Sequence, residues 1–459
     1  MSGVWYMRIC ALATAALLCK SAYSASLDGV QQNPDPLFLK ELSARIGCDD
    51  AAQWVAMPET GADQFTATLS TMKSEAKKRE GREDRARSWY SLIKKHLFNT
   101  KKIAEQCRRE PSAVKEDGIA MLASKYPDGL TVVALGGFGS HSGSEGTLTT
   151  SFAQWQKSNA NLVASKKIDF VRVECSFSYS PDETFCADDM LHTLQESIKR
   201  QDPSGKHKLL LWGYSKGGLS AVEMLRKSSW LRDQTVAVIS VGSPFQGSML
   251  IDRMAPAVDA FVESSRIPGT SETMGADTVM KLLQMWVGGA RTDIDEIMTN
   301  FGKVREGVHS LTTKSRADYL KRKLIPNNFL RSNGSKIQVF QIAGIIDPSR
   351  VLALPVMRVK GGKLFAVDHS HDPLHTAQAT AMMSATAKPL SDSCVALEDA
   401  LLPVEPAHGS GLDSQFLALV RLDHLGLRFH RMATEVKHGV PDHAIVDAAI
   451  ATVARRIQP

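Results

Sequence analysis

The sequence predicts an α/β protein with a mostly parallel sheet and helices on both faces. From Leu130 onward, short apolar runs alternate with stretches in which apolar residues recur at helical spacing. The runs that predict strands are 130–135, 168–173, 209–212, 235–241, 336–343 and 416–422, and the clearest helices are 187–198 and 442–457. Strands that alternate with helices imply parallel pairing through right-handed crossovers.

The second observation is the segment LLLWGYSKGGLSAVEML, residues 209–225. An unbroken apolar run, a tight turn and a helix follow one another, which is the context of a G-x-S-x-G nucleophile elbow. Ser215 at the tip is therefore the candidate nucleophile. Gly213 and Gly217 stand where a Cβ would collide with neighbouring backbone, and Gly218 permits close helix packing. The alternative is a βα turn in which Ser215 only caps the helix.

Length and composition place the chain among ordinary globular proteins. It has 459 residues, of which 43% are hydrophobic and 23% charged, enough for one large domain and an accessory region. Arg8, an apolar run over 9–19 and the segment Ala22-Tyr23-Ser24 predict a signal peptide at 1–24, and hence a secreted or periplasmic protein. The alternatives are a retained anchor helix and a lipoprotein modified at Cys19.

Charge argues against a nucleic-acid partner, because the formal net charge is only +6. Much of the basic character lies in a run over 73–102 in which acids alternate with bases. Such mixed runs are usually solvated helix faces. The functional alternative is a transient contact with an anionic membrane surface.

Seven cysteines are present, two of them in the N-terminal apolar segment. In an exported protein the other five predict up to two disulfides and one remaining thiol. The favoured pair is Cys175 with Cys186, followed by Cys48 with Cys107. No Cys-x-x-Cys or His-Glu-x-x-His pattern occurs, so the sequence predicts no metal site.

The first predicted strand ends in a glycine-rich loop, GGFGSHSGSEG. In a serine hydrolase, the loop after an early strand supplies one donor of the oxyanion hole, and the residue after the nucleophile supplies the other. These donors would be the backbone N–H groups of Phe138 and Lys216. The alternatives are a phosphate-binding loop and a flexible surface loop. The G-x-x-x-x-G-K-[ST] spacing of a P-loop is absent.

The partners of Ser215 should lie downstream, in the order serine, acid, histidine. His424 follows the last predicted strand and is the candidate general base, with His443 as the alternative. Asp392, 32 residues before His424, is the favoured acid, and Asp347, directly after a predicted strand, is the alternative. Either aspartate could instead form a turn.

Together the segments GYSKGG, LGGFGS, VGSPFQGS, SDSCVALEDALLP and LDHLGL resemble the α/β-hydrolase superfamily and are similar to secreted bacterial lipases and esterases. In that group a segment like NDG-x-V-x-x-x-S-A, about thirty residues or fewer before the histidine, carries the acid, which is a second reason for Asp392. This sequence has Ser393 where glycine is usual and Glu398-Asp399 where serine is usual. The resemblance covers residues from about 130 onward.

The resemblance implies an α/β-hydrolase domain over 129–459 that cleaves carboxylic esters of small molecules or lipids through an acyl-enzyme, without a cofactor. It also implies a helical lid inserted at about 249–330, with an apolar stripe at 279–289. Residues 25–128 would form an N-terminal helical accessory region. Acyl transfer by the same residues and a non-catalytic binding module are the alternatives.

Overall fold

The computed structural model describes residues 32–77, 82–109, 116–138, 149–176, 183–264, 301–346, 357–360, 363–366, 390–424, 426–428 and 441–457. The predicted signal peptide and the apolar stripe at 279–289 lie outside these ranges.

Six strands form one sheet in which every neighbouring pair is parallel. The spatial order is β2-β1-β3-β4-β5-β8. The strands are β1 Leu130–Leu135, β2 Ile168–Val173, β3 Lys208–Tyr214, β4 Thr235–Val241, β5 Ile337–Gly344 and β8 Leu412–Val420. Two further strands, β6 Met357–Lys360 and β7 Lys363–Ala366, form a separate antiparallel pair. The predicted mostly parallel sheet is therefore confirmed.

The order of the strands places a crevice at one end of the sheet. The chain leaves β1 for β2 on one side and returns to β3 on the other side of β1. At such a switch point the loops after the two strands diverge, which opens a crevice at their carboxyl ends. Here the glycine-rich loop follows β1, and Ser215 follows β3.

Among the described residues, six helices precede the sheet: α1 Pro36–Ile46, α2 Cys48–Trp54, α3 Phe65–Lys77, α4 Arg82–Leu97, α5 Thr100–Arg109 and α6 Gly118–Ser124. A disulfide between Cys48 and Cys107 joins α2 to α5. The helices that follow are α7 Thr149–Ser158, α8 Ala160–Ala164, α9 Glu183–Gln201, α10 Lys216–Lys227, α11 Ser229–Gln234, α12 Met249–Ser264, α13 Phe301–Ser310, α14 Thr313–Lys323, α15 Leu397–Ala400, α16 Val404–Ser410 and α17 Asp442–Arg456. No described helix is long and apolar enough to cross a lipid bilayer.

Apolar side chains are buried on both faces of the sheet. Along β3, Leu209 and Leu211 pack into one cluster, while Leu210 and Trp212 pack into the cluster on the other face. A strand that is covered on both faces has an unbroken apolar sequence. For this reason β3 and β4 were recognisable in the sequence. By contrast, β8 starts four residues before the predicted 416–422 and ends two residues earlier. Its positions 413–415 are polar and only half-buried, so they did not extend the apolar run.

A second disulfide, Cys175–Cys186, connects the end of β2 with α9. Both pairings are those favoured in the sequence. Since α9 begins at Glu183, four residues before the predicted start, Cys186 lies in its first turn.

A buried ion pair attaches α14 to the sheet domain. Arg316 is nearly fully buried, and its Nη1 donates to Glu183 Oε1 at 2.6 Å. Its Nε donates to the carbonyl of Phe245 at 3.1 Å, and its guanidinium lies 4.1 Å from the centre of the Tyr319 ring. Charge, hydrogen bonds and ring contact together compensate the desolvation of this arginine.

Candidate active site

The turn after β3 holds Ser215 in an unusual backbone conformation, with φ 51° and ψ −124°. Residues other than glycine rarely adopt positive φ, and such strain concentrates at functional sites. Ser215 occupies the N-cap position of α10, but its side chain makes no capping hydrogen bond. Its Oγ lies 3.0 Å from His424 Nε2 instead.

The glycines of the elbow are required by close backbone contacts. A Cβ at Gly213 would lie 2.5 Å from the Cα of Gly218, and one at Gly217 would meet the carbonyl of Leu135. A Cβ at Gly218 would overlap the hydroxyl of Ser243. Because these glycines have no Cβ, α10 can start directly against the ends of β1 and β4.

His424 and Asp392 lie in one hydrogen-bonded chain with Ser215. Asp392 Oδ2 is 2.8 Å from His424 Nδ1, and both side chains are buried. Because a carboxylate only accepts, His424 Nδ1 carries the proton, and Nε2 is left to accept from the Ser215 hydroxyl. The chain order is serine, aspartate, histidine.

Backbone hydrogen bonds hold the acid and the histidine in place. Asp392 Oδ1 accepts from the backbone N–H of Cys394 at 2.9 Å and of Val395 at 2.7 Å. The backbone N–H of His424 donates to the carbonyl of Asp392 at 2.8 Å, and the Tyr214 hydroxyl donates to the carbonyl of His424 at 2.8 Å. The orientation of the imidazole is therefore set from both sides.

Two glycines that the sequence analysis missed make room for this pair. At Gly242, where φ is +57°, a Cβ would lie 3.3 Å from Asp392 Oδ2 and 3.4 Å from His424 Nδ1. At Gly344 it would lie 2.7 Å from the carbonyl of Leu422 and 2.8 Å from the Cβ of Asp392. Each glycine stands where a buried strand ends, and only that position could have indicated it.

Ser393, which stands where the lipase-like sequence pattern has glycine, adopts a positive φ. Ser393 has φ +88°, a conformation that costs a residue with a Cβ about 1–2 kcal/mol relative to glycine. Its backbone N–H donates to Ser391 Oγ at 3.1 Å. The neighbouring Glu398 and Asp399 are buried, and their carbonyls accept from Gln246 at 2.6 and 3.0 Å. The segment after β4 is thereby bonded to the acid segment.

Of the two expected oxyanion donors, Lys216 directly follows the serine, and Phe138 follows Gly137 in the loop after β1. A Cβ at Gly137 would lie 3.1 Å from the Cβ of Ser215, so the loop after β1 passes directly beside the serine. Phe138 and Lys216 are both buried. The remainder of the loop, 139–148, lies outside the described residues.

Of the alternative residues, His443 lies in different surroundings. Asp347 lies outside the described ranges. The His443 ring is 5.6 Å from the ring of Trp155, in an edge-on contact at the start of α17. Burial lowers the pKa of His443, Asp447 and Asp117 act to raise it, and Arg45 lowers it further. Its surroundings are those of a structural histidine on the helix.

Among the described residues, one group has the spacing of metal ligands, and it overlaps this site: Asp392, Cys394 and His424. The sequence contained no ligand-spacing pattern there, because the three residues come together only through folding.

The strand order, the serine elbow after β3 and the later acid and histidine define an α/β-hydrolase fold. The chain is similar in structure to the mature lipase BlEst2 of Bacillus licheniformis, with 16% identity, 66% of this chain and 88% of that chain covered, and a TM-score of 0.37. It is also similar to the Staphylococcus hyicus lipase, with 12% identity, 72% and 96% coverage, and a TM-score of 0.42. The metagenomic carboxyl esterase MGS0156 matches with 13% identity, 72% and 76% coverage, and a TM-score of 0.40. No protein-family model and no curated protein matches the sequence.

Proposed function

We propose that this protein is a serine hydrolase that cleaves carboxylic esters, with Ser215, His424 and Asp392 as its catalytic triad. The observation that carries the proposal is the hydrogen-bonded chain from Ser215 Oγ through both nitrogens of His424 to Asp392. Its members come from distant parts of the sequence, and the serine is held at positive φ. A turn serine that only capped a helix would need neither feature.

In the proposed reaction, Ser215 Oγ attacks the ester carbonyl while His424 Nε2 takes its proton. Asp392 keeps the proton on Nδ1 and stabilises the imidazolium that forms. The backbone N–H groups of Phe138 and Lys216 would stabilise the oxyanion. His424 then protonates the leaving alcohol, and a water molecule activated by the same imidazole releases the acid from the acyl-enzyme.

Hydrolysis of p-nitrophenyl esters of graded acyl length tests the proposal. Ser215→Ala and His424→Ala should each lower kcat by at least about 10³-fold, because each removes a member of one catalytic unit. Asp392→Asn should cost a comparable factor because it allows the wrong tautomer. His443→Gln is the control and should retain the wild-type kcat, and Asp347→Asn tests the alternative acid. A wild-type protein without turnover or fluorophosphonate labelling would support the non-catalytic binding module instead.

Acyl transfer would use the same residues, with an alcohol in place of water in the second step. Adding a short alcohol to the ester assay distinguishes the two reactions. A transferase should form the new ester in preference to the free acid, whereas a hydrolase should release mainly the acid.

We also propose that the protein acts outside the cytoplasm and that residues 1–24 are removed on export. The two disulfides support this, because such bonds persist in oxidising compartments. Residues 25–128 would then begin the mature protein as its accessory region. The mass of the mature N-terminal peptide tests the cleavage site.

The insertion at 249–330 is proposed to act as the lid. In its described part, helices α12, α13 and α14 are joined to the core by contacts such as the Arg316–Glu183 ion pair. A lid predicts that activity rises sharply when a lipid ester exceeds its solubility. Equal rates on dissolved and aggregated substrate would contradict it.

A contact with anionic membranes is the proposed role of the basic run. Lys94, Lys95, Lys101 and Lys102 line a cavity of about 650 Å³ between α4 and α5 together with Glu59. Lys102 and Glu59 form an ion pair at 2.5 Å, so the cavity keeps an excess of positive charge.

Binding to phosphatidylglycerol vesicles tests this contact. Lys94→Glu with Lys101→Glu should weaken binding at least about tenfold, since each lysine near such a surface contributes about 1 kcal/mol. Lys157→Glu with Lys206→Glu makes the same charge change at two exposed positions elsewhere. Equal loss in both double variants would mean that only net charge matters.

A further inference from the structure

The proposed reaction does not use the thiol of Cys394, although this side chain is buried beside the acid. Cys394 is not part of either disulfide and is fully buried. One ligand atom each from Asp392, Cys394 and His424 lies within 4.8 Å of the other two. A carboxylate, a thiol and an imidazole at this separation are the donor types of a zinc site.

The separations of the three atoms are close to those of a three-ligand zinc site. Zinc binds thiolate sulfur at about 2.3 Å and imidazole nitrogen or carboxylate oxygen at about 2.0–2.2 Å, so tetrahedral ligands lie roughly 3.5 Å apart. To reach these separations, Asp392 Oδ2 and His424 Nδ1, now 2.8 Å apart, must separate by about 0.7 Å, and the Cys394 sulfur must approach by at most about 1.3 Å.

Charge favours the same conclusion. A divalent cation bound by one carboxylate, one thiolate and one neutral imidazole gives a neutral cluster. A buried site accepts such a cluster more readily than an uncompensated ion. The soft sulfur ligand selects zinc or cadmium over magnesium or calcium, which prefer oxygen ligands alone.

We propose that Asp392, Cys394 and His424 form an inhibitory site for a thiophilic divalent cation such as Zn²⁺. The inhibition rests on the proposed function, whereas the binding does not. The cation binds His424 Nδ1, the nitrogen that otherwise bonds to Asp392. The imidazole proton then resides on Nε2, which can no longer accept the proton of Ser215.

Proton balance makes the proposal specific. The carboxylate binds in its ionised form, the imidazole keeps one proton that moves from Nδ1 to Nε2, and the thiol loses its proton to solvent. One proton is therefore released for each cation bound.

The binding experiment uses Cd²⁺ with Ser215→Ala, which removes the serine and any turnover. The expected result is one cadmium per chain with a thiolate-to-metal absorption band in the ultraviolet. Cys394→Ser in the same background should abolish the band. The proposal would be overturned if Ser215→Ala, which keeps Cys394, showed no band. It would also be overturned if the band persisted after Cys394→Ser.

The inhibition experiment uses Zn²⁺ with the full chain and without thiol reductants. Each variant is compared with its own metal-free rate, and a chelator should restore that rate. Cys394→Ser and Cys394→Ala should both weaken inhibition at least about 100-fold, since zinc loses its sulfur ligand. Equal inhibition in all three proteins would overturn the proposal and would indicate binding at the histidine alone. If the wild type hydrolyses no ester, the proposed function fails, but the cadmium titration still tests the site.

Discussion

Gly344→Ala should impair catalysis although Gly344 takes no part in the chemistry. The added Cβ would lie 2.7 Å from the carbonyl of Leu422 and 2.8 Å from the Cβ of Asp392, whereas ordinary contacts begin at 3.4 Å. To restore ordinary contacts, the carbonyl must move by about 0.7 Å and the Asp392 Cβ by about 0.6 Å. The carbonyl is two residues before His424, so either movement displaces the acid from the histidine. A misplacement of about 1 Å can cost 10²-fold in rate, and we expect a loss in kcat of roughly 10- to 100-fold.

The assay is the steady-state hydrolysis of a short p-nitrophenyl ester, with KM and kcat separated. The backbone at Gly344 is not at positive φ, so alanine introduces a steric change without backbone strain. Gly409→Ala is the matched control, because a Cβ there meets nothing within 4 Å and the position lies in helix α16. Gly409→Ala should keep its kcat. A wild-type kcat in Gly344→Ala would refute the steric argument, and a loss of the folded state would be visible in its denaturation curve.

Three further predictions concern stability and pH. Arg316→Met should lower the free energy of unfolding by about 3–5 kcal/mol, because it leaves Glu183 buried without a counter-charge. Arg305→Met is the control: it breaks a half-exposed ion pair and should lower the free energy of unfolding by at most about 1 kcal/mol in the same urea titration. Ser393→Gly should raise the free energy of unfolding by about 0.5–1 kcal/mol by relieving positive φ, and a lower melting temperature would contradict this. Burial lowers the pKa of His443, so its protonation favours the unfolded state, and stability should fall as the pH drops below about 6.5. His443→Gln should reduce that fall, and an unchanged slope of unfolding free energy against pH would count against the assignment.

Much of the fold was accessible from the sequence because the parallel strands are buried on both faces. The bounds of β1, β2 and β4 agree with the predicted runs, and the elbow strand differs by one or two residues at each end. The prediction was poorer for β8, whose polar first half has no apolar pattern. The two disulfide pairs were also anticipated from their position in the chain.

The site was accessible only in part. Ser215 and His424 were indicated by local patterns at the ends of strands, and Asp392 was favoured over Asp347 by its spacing and by the resemblance. The role of Gly344 was not visible, because its neighbours are far away in the sequence. The proximity of Cys394 to His424 was not visible either, because the two residues are 30 positions apart.

Local patterns of hydrophobicity, glycine and serine therefore account for the parallel sheet and for the strained turn at Ser215, since both depend on residues adjacent in the chain. The hydrogen bonds from Ser215 to His424 and from His424 to Asp392 join residues 209 and 32 positions apart. Their geometry depends on how the ends of β3, β5 and β8 pack side by side. Packing between distant segments sets such distances to fractions of an ångström, and no pattern along the chain encodes them directly.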